Sequence, residues 1–497
     1  MAVIKRTLHT VNFGELSRDI AMHSNDILEK EDDDFDPSTI DIPNEYTTIV
    51  DFVQDKLVDE EGNKIDDYHA IFLTGKAGTG KSTAIKYVKN MIPNSIVIAP
   101  TTIAAMNVKG STIHSFFGFP PQIMDPSEVT EVYEKIVPVL QALDLLIVDE
   151  VSMISSAIVD CMDKALKIAR NNDNPFGGVK MLFVGDLFQL PPIVEDEEVR
   201  KYFAGIDARY DSEFFFSADI FKNGCEMLPI ELNVVKRQNA NATPDNAQFV
   251  QALNTIRTND TDHIFSCLKF LNEKCYNAKK DIDDIPQGTI ALAPTKAKAK
   301  SFNKSELDKI DGESRMYQGM LMDSMSAEMI RQFQAPDELE LKIGAQVVFV
   351  TNNKPSWING DLGTIIEMGS DVIKVKLLKT GFVRDVKRAD FGKYKYKYNK
   401  EKQKLEKTFF KAFVQFPLAL GWAITIHKAQ GMTLENVIVD IDGNAFAEGQ
   451  TYVALSRATS IEGLQLRHPL NYGDIKVSDQ VLKAYAKIFP ENYKYEG

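Results

Sequence analysis

The sequence predicts an α/β protein built on parallel sheets, with a small all-β module late in the chain. Three features point to it. Between Ile71 and Ala84 a short apolar run meets Gly75-Lys76-Ala77-Gly78-Thr79-Gly80-Lys81-Ser82 and then a helical pattern, satisfying G-x-x-x-x-G-K-[ST] at every position. The apolar runs Ser95–Ala99, Leu145–Val148 and Met181–Val184 each deliver polar residues at their carboxyl ends, where parallel sheets bind ligands. From Gly363 to about Lys411 the rhythm changes to short strands with turns, the pattern of a small β-barrel.

A chain of 497 residues implies two or more domains. No apolar run approaches a membrane span, and the first 30 residues lack the hydrophobic core of a signal peptide. Cys161, Cys225, Cys267 and Cys275 have neither CxxC nor metal-ligand spacing and read as reduced thiols. A cytoplasmic or nuclear protein that is neither secreted nor membrane-bound is expected. The net charge of −14 argues against a polyanionic partner until its distribution is considered. Residues 1–67 carry 18 Asp/Glu against 6 Lys/Arg, whereas Asp371–Lys411 carries 14 Lys/Arg against 5 Asp/Glu. Local field governs phosphate binding more than global charge does.

Residues 1–44 end in the run Glu29-Lys30-Glu31-Asp32-Asp33-Asp34-Phe35-Asp36-Pro37, which reads as a flexible acidic extension. A solvated linker, a tail for a protein partner and an acidic mimic of DNA all fit that composition. Helical spacing over Tyr46–Leu57 leads into the phosphate loop. There glycines let backbone N–H groups turn inward around phosphates, and the following helix offers its positive end. Gly75, Ala77, Gly78, Thr79, Gly80, Lys81, Ser82 and Thr83 form the expected nucleotide cradle, with Lys81 reaching the β- and γ-phosphates and Ser82 placed to ligate Mg²⁺.

Pro100-Thr101-Thr102 follows the next strand, and Thr112-Ile113-His114-Ser115 comes soon after. Residues 116–138 look like an excursion from the sheet. The strand Leu145–Val148 ends in Asp149-Glu150, the second half of a phosphate-loop site. Asp149 is expected to hold Mg²⁺ and Glu150 to orient and deprotonate the attacking water. Gly185-Asp186-Leu187-Phe188-Gln189 closes another strand, so the Gln189 amide lies where a γ-phosphate could be read.

A second α/β half follows, without a phosphate loop of its own. It opens at Glu231-Leu232 and continues through Lys236-Arg237-Gln238, an amphipathic helix Ala247–Arg257 and a strand Thr289–Ala293. Residues 305–343 are polar and irregular by pattern. Gly344–Val350 is a strand leading into the β-rich module. Strict alternation in Tyr394-Lys395-Tyr396-Lys397-Tyr398 separates tyrosines from lysines, as a solvated face or a phosphate-tracking surface would. The chain then runs through Ala419–Gly431, the strand Val437–Val439, Tyr452–Ala458 with Arg457, and a last helix Val477–Ile488. Arg237 and Arg457, at element ends in the second half, suit stabilisation of charge developing on a transferred phosphoryl group.

Together GKAGTGKS, APTTIAAMNVKGSTIHSFFG, IVDEVSM, GDLFQLPP, KRQ, ITIHKAQGMT and YVALSRA resemble the motifs of superfamily 1 group B DNA helicases. The closest resemblance is to the petite-integration-frequency (Pif) family, with RecD- and Dda-type relatives. It runs from about Phe72 to Leu466 and is further marked by Ser152–Arg170 and Pro175-Phe176-Gly177-Gly178. The resemblance implies two RecA-like P-loop NTPase lobes with an SH3-like β-barrel inserted in the second. The expected boundaries are 45–230 for the first lobe, 231–345 with 412–497 for the second, and 346–411 for the barrel. It also implies an ATP- and Mg²⁺-dependent 5′-to-3′ helicase acting on single-stranded DNA and duplex junctions in replication, repair, recombination or telomere maintenance. Lys81, Ser82, Asp149, Glu150, Gln189, Arg237 and Arg457 match the family's ATP-site positions, and Gln430 lies at the ATP-side coupling of its motif. Thr101, Thr102, Asn107, His114, His427 and Thr433 match positions near single-stranded DNA. The family's adenine-reading glutamine has no clear counterpart around Asn44–Thr48, and Gln54 is the substitute the sequence offers. Phe117 or Phe119 fits either a strand-separating wedge or the core. An ATP-switched DNA-binding subunit of a recombination complex is the alternative, disfavoured because a pure switch has no need of Lys81, Glu150, Arg237 and Arg457 together.

Overall fold

The computed structural model describes residues 41–490 apart from 60, 121–123, 195–196, 204–207, 236, 238–242, 277–284, 322–334, 354, 400–403 and 442–444. The acidic run and residues 236 and 238 of the KRQ motif lie outside the described residues, as do the side chains of 394–398.

The first lobe is a parallel sheet in the order β3-β2-β4-β5-β1-β6. Its strands are β1 (Tyr68–Gly75), β2 (Ser95–Ala99), β3 (Ser111–Thr112), β4 (Leu145–Val148), β5 (Lys180–Val184) and β6 (Glu226–Leu232). Period-two alternation divides the apolar strands between two cores. Ala70, Phe72, Ile96, Leu146 and Phe183 enter one, while Ile71, Leu73, Val97, Ile147 and Leu182 enter the other. The second core is closed by the helices Asn44–Val53 and Lys81–Met91, through Tyr46, Phe52, Ile85 and Val88. Glu231-Leu232, expected to open the second half, instead completes β6, paired in parallel with β1 through Leu232. The expected first helix stops at Val53 rather than Leu57.

The second lobe holds a four-stranded parallel sheet, β18-β7-β19-β20. These strands are β7 (Ile290–Ala293), β18 (Ala423–Thr425), β19 (Val437–Val439) and β20 (Leu464–Leu466). Between β7 and β18 the chain leaves the sheet. β11 (Gln346–Phe349), β12 (Leu362–Met368), β13 (Val372–Leu377), β14 (Val383–Lys387) and β17 (Leu418–Leu420) form an antiparallel sheet in the order β14-β13-β12-β11-β17. A long hairpin, β15 (Ala389–Asn399) with β16 (Lys404–Gln415), also pairs with β9 (Met320–Leu321). The segment that looked irregular by pattern contains β8 (Arg315–Gln318), paired antiparallel with β10 (Glu338–Leu341). Its local signal is weak because the pairing partner lies across an intervening stretch of chain. Phe349, Trp357, Val375, Phe416 and Leu418 form the core beneath this region. None of the described helices is long and apolar enough to cross a membrane.

Candidate active site

Parallel pairing of β1 with β5, and of β5 with β4, aligns three carboxyl strand ends in register. The phosphate loop, Asp149-Glu150 and Gly185–Gln189 therefore converge. Gly78 and Gly80 take φ of +82° and +105°, a region that disfavours a Cβ. Space makes the same demand at Gly78, where an added Cβ would lie 2.3 Å from Cβ of Arg237. The Lys81 ammonium donates to the carbonyls of Gly75 (2.6 Å) and Lys76 (3.1 Å). Burial holds its pKa below the ordinary lysine range, against the pull of Asp186 and Glu150. Burial, followed by the neighbouring Glu150, pushes the Asp149 carboxyl up to about 7. Glu150 sits in the left-handed region at φ +51°, an unusual conformation for a non-glycine residue that turns the chain directly after the strand.

The second lobe reaches into this site. The Gln430 amide donates to Glu150 Oε2 (3.0 Å) and Gln189 Oε1 (3.3 Å), joining the expected base and the expected phosphate sensor through one side chain. Arg237 donates to the Ser456 carbonyl at 3.2 Å. Arg457, 1% exposed, is held by the Val453 carbonyl (2.9 Å), the Met432 carbonyl (3.3 Å) and Ser456 Oγ (2.8 Å). Burial and then the Arg237 charge lower its pKa to about 9. Two guanidinium charges thus lie close enough to repel beside a glycine-rich cradle, and a polyphosphate would relieve their repulsion. The cradle, half-buried lysine, paired acids and paired arginines fit a nucleoside triphosphate. Ser82 and Asp149 fit its divalent cation.

A further cluster at this interface had little local signal in the sequence. The Tyr452 hydroxyl accepts the Ala77 N–H of the phosphate loop (3.0 Å) and donates to Asp186 Oδ2 (3.1 Å). Asp186, wholly buried, forms an ion pair with Arg257 at 2.9 Å. Burial opposes ionisation of Asp186, yet Arg257 and Lys81 hold its carboxyl below the usual range. The Arg257 guanidinium lies 4.3 Å from the ring centre of Phe188 and 5.1 Å from that of Tyr485. Asp186 is visible at a strand end, but Arg257 is a lone basic residue on an amphipathic helix, and only folding gives it a partner.

The expected DNA-facing residues divide between the lobes. Thr101 caps the helix Thr102–Asn107, accepting the Ala104 N–H at 3.2 Å; Thr102 is buried, and His114 lies on the next helix, Ile113–Phe117. Asn107, at the end of its helix, accepts from the Asn359 amide at 3.2 Å. An added Cβ at Gly431 would lie 3.5 Å from Asn107 Nδ2, so the exposed Thr433 segment adjoins the first lobe at Asn107. His427 lies on the short helix after β18, half-buried.

Two alternatives left open by the sequence are decided by the fold. Gln54 accepts from Lys56 (2.7 Å) and lines a cleft with Pro93, Asp144 and Lys180, at the amino ends of the strands and opposite the phosphate loop. From the same helix it is Tyr46 that meets the loop, donating to the Gly80 carbonyl at 2.8 Å. Phe117 and Phe119 are 4% and 8% exposed and stack on each other at 5.1 Å, which makes them core. The exposed aromatic of that excursion is Tyr133, 71% accessible, its ring against Gly118.

The family model for PIF1-like helicases matches residues 42–263. The ATP-dependent DNA helicase Pif1 of Campylobacter jejuni is 29% identical, over 85% of this chain and 96% of that protein. The chain spans only 54% to 63% of the length of the fungal and vertebrate PIF1 relatives it matches. The crystal structure of Bacteroides sp Pif1 in complex with ADP-AlF4 is 30% identical, with a TM-score of 0.76 over 91% of this chain and 98% of that one. Bacteroides Pif1 bound to ssDNA is 30% identical, with a TM-score of 0.64 over the same shares of the two chains. With these motifs in their order on this fold, the chain belongs to the PIF1-like helicase family.

Proposed function

We propose that this chain is an ATP-dependent DNA helicase that moves 5′-to-3′ on single-stranded DNA and separates duplexes. The observation that carries the reading is Gln430, which spans from the second lobe to Glu150 and Gln189 while its loop continues to the seam at Asn107. One side chain thus connects the hydrolytic acid to the DNA-facing surface. Polarity rests on the family resemblance. So do the roles in replication, repair, recombination and telomere maintenance. An SH3-like barrel is our reading of the antiparallel sheet between Gln346 and Leu420. The acidic front end is read as a surface for a protein partner.

In this mechanism the phosphate loop and Lys81 bind and orient the β- and γ-phosphates. Mg²⁺, held by Ser82 and Asp149, would neutralise charge on the phosphate oxygens. Glu150 takes a proton from the attacking water. Gln189 reads the γ-phosphate, and Arg237 and Arg457 stabilise charge that builds on it only when the lobes are closed. Loss of that charge lets the lobes part, and alternating grip by the two lobes moves the strand.

The test is unwinding of two matched duplexes, one with a 5′ tail and one with a 3′ tail, using the Glu150→Gln protein as control. Separation of the 5′-tailed substrate alone is expected. Separation of the 3′-tailed one would overturn the polarity, and loss of both activities together with DNA-stimulated hydrolysis would overturn the helicase reading.

A further inference from the structure

We propose that Phe446 and His427 form a base-stacking platform for single-stranded DNA on the second lobe, flanked by Lys296 and Lys428. The proposal rests on the helicase reading, in which the motif resemblance already sets His427 near single-stranded DNA, and adds Phe446, which neither composition nor motif assigns. Phe446 is 58% exposed, a costly position for an apolar ring with no ligand to cover it. It lies nearly parallel to the His427 imidazole, 14° between planes and 6.2 Å between centres.

The topology explains how these residues meet. His427 and Lys428 follow β18, Lys296 follows β7, and Phe446 comes after β19. Those three strands are neighbours in one parallel sheet, so their carboxyl ends share one edge, where such sheets bind ligands. Among the described residues neither Lys296 nor Lys428 has an ion-pair partner, whereas Lys298 nearby is paired with Asp440 at 2.9 Å. Burial, followed by the Lys296 charge, lowers the pKa of both His427 and Lys428. The result is an imidazole whose protonation is disfavoured, nearly parallel to an exposed phenyl ring, with two mutually repelling lysines nearby. A strand supplying a base face and phosphates satisfies both halves at once.

The platform is also tied to the nucleotide site. The backbone amides of Phe446 and Ala447 donate to Gln450 Oε1 (3.0 and 3.4 Å). Gln450 is buried and begins the helix Gln450–Leu455, which Arg457 follows. The segment that would receive a base therefore leads straight into the element that carries the arginine.

The experiment uses the full chain and an oligothymidylate carrying a single 2-aminopurine. The wild-type protein is expected to bind and to quench the probe. Phe446→Leu keeps the apolar bulk but removes the ring. It should bind about fivefold to a hundredfold more weakly, the range of one lost base–aromatic stack, with less quenching and an unchanged salt slope. Phe446→Trp should restore binding and quenching. Lys428→Ala should instead flatten the salt dependence by about one phosphate contact. Wild-type affinity and quenching in Phe446→Leu would overturn the platform while leaving the helicase reading intact. Equal weakness of Phe446→Leu and Phe446→Trp would also overturn it, since a ring would then not be what matters. A wild-type protein that failed to bind the oligonucleotide would overturn the helicase reading itself.

Discussion

At the residue scale, the site concentrates charge where folding alone would avoid it. Asp149 and Glu150 are adjacent acids, and the Asp149 carboxyl is pushed up to about 7 by burial and by its neighbour. An acid with a raised pKa costs stability as pH rises, because the folded chain must ionise a group that the unfolded chain ionises freely. Asp149→Asn should therefore raise the thermal midpoint of the nucleotide-free, chelator-treated protein by about 2 °C, more at pH 8 than at pH 5, while abolishing hydrolysis. Scanning calorimetry at the two pH values checks this. Glu150→Gln keeps the volume and the Gln430 contact but removes the proposed base. Phosphate release in the presence of DNA should fall at least about 100-fold, with single-stranded DNA affinity by anisotropy essentially unchanged.

At the element scale, the helix Gln450–Leu455 is set closely against the first lobe. Its N-cap, Gly449, has φ +69°, and a Cβ there would lie 2.5 Å from the Phe188 carbonyl. One turn on, Tyr452 bridges the Ala77 N–H and Asp186. Tyr452→Phe leaves the ring packed but strips a buried N–H of its partner, a loss of about 1–3 kcal/mol where nothing replaces it. The specificity constant for ATP should drop about fivefold to a hundredfold. Steady-state kinetics with saturating DNA measures it, and a wild-type value would show that the hydroxyl does not position the loop.

At the scale of the whole molecule, the proposed catalytic groups and the proposed DNA-facing groups share one interface between lobes. Gln430 links Glu150 and Gln189 to the loop that reaches Asn107. Gln430→Ala should reduce the stimulation of hydrolysis by DNA far more than it reduces DNA binding, read by comparing turnover with and without oligonucleotide. The acidic front end makes a separate prediction. Deleting residues 1–40 keeps Tyr46 against Gly80, so hydrolysis should persist. A marked gain in DNA affinity on deletion would assign the acidic run an autoinhibitory role, since a cluster of carboxylates repels DNA phosphates and competes with them for basic groups.

Local chemistry was enough to mark the glycine-rich loop after β1, the acids after β4 and the strand ends that converge with them. Each depends on a short contiguous pattern, and apolar alternation alone divides the strands between their two cores. The folded molecule decided what proximity in sequence cannot encode. Asp186 meets Arg257, Tyr452 meets Ala77, and Phe446 meets His427, each pair drawn from elements far apart in the chain or set on different strands. The placement of Gln54 shows the same limit. Helical spacing put it on the same helix as Tyr46, but only the packing of that helix across the sheet set Tyr46 at the phosphate loop and Gln54 at the opposite edge. A motif states which groups a site needs, whereas long-range packing determines which other groups come to face them.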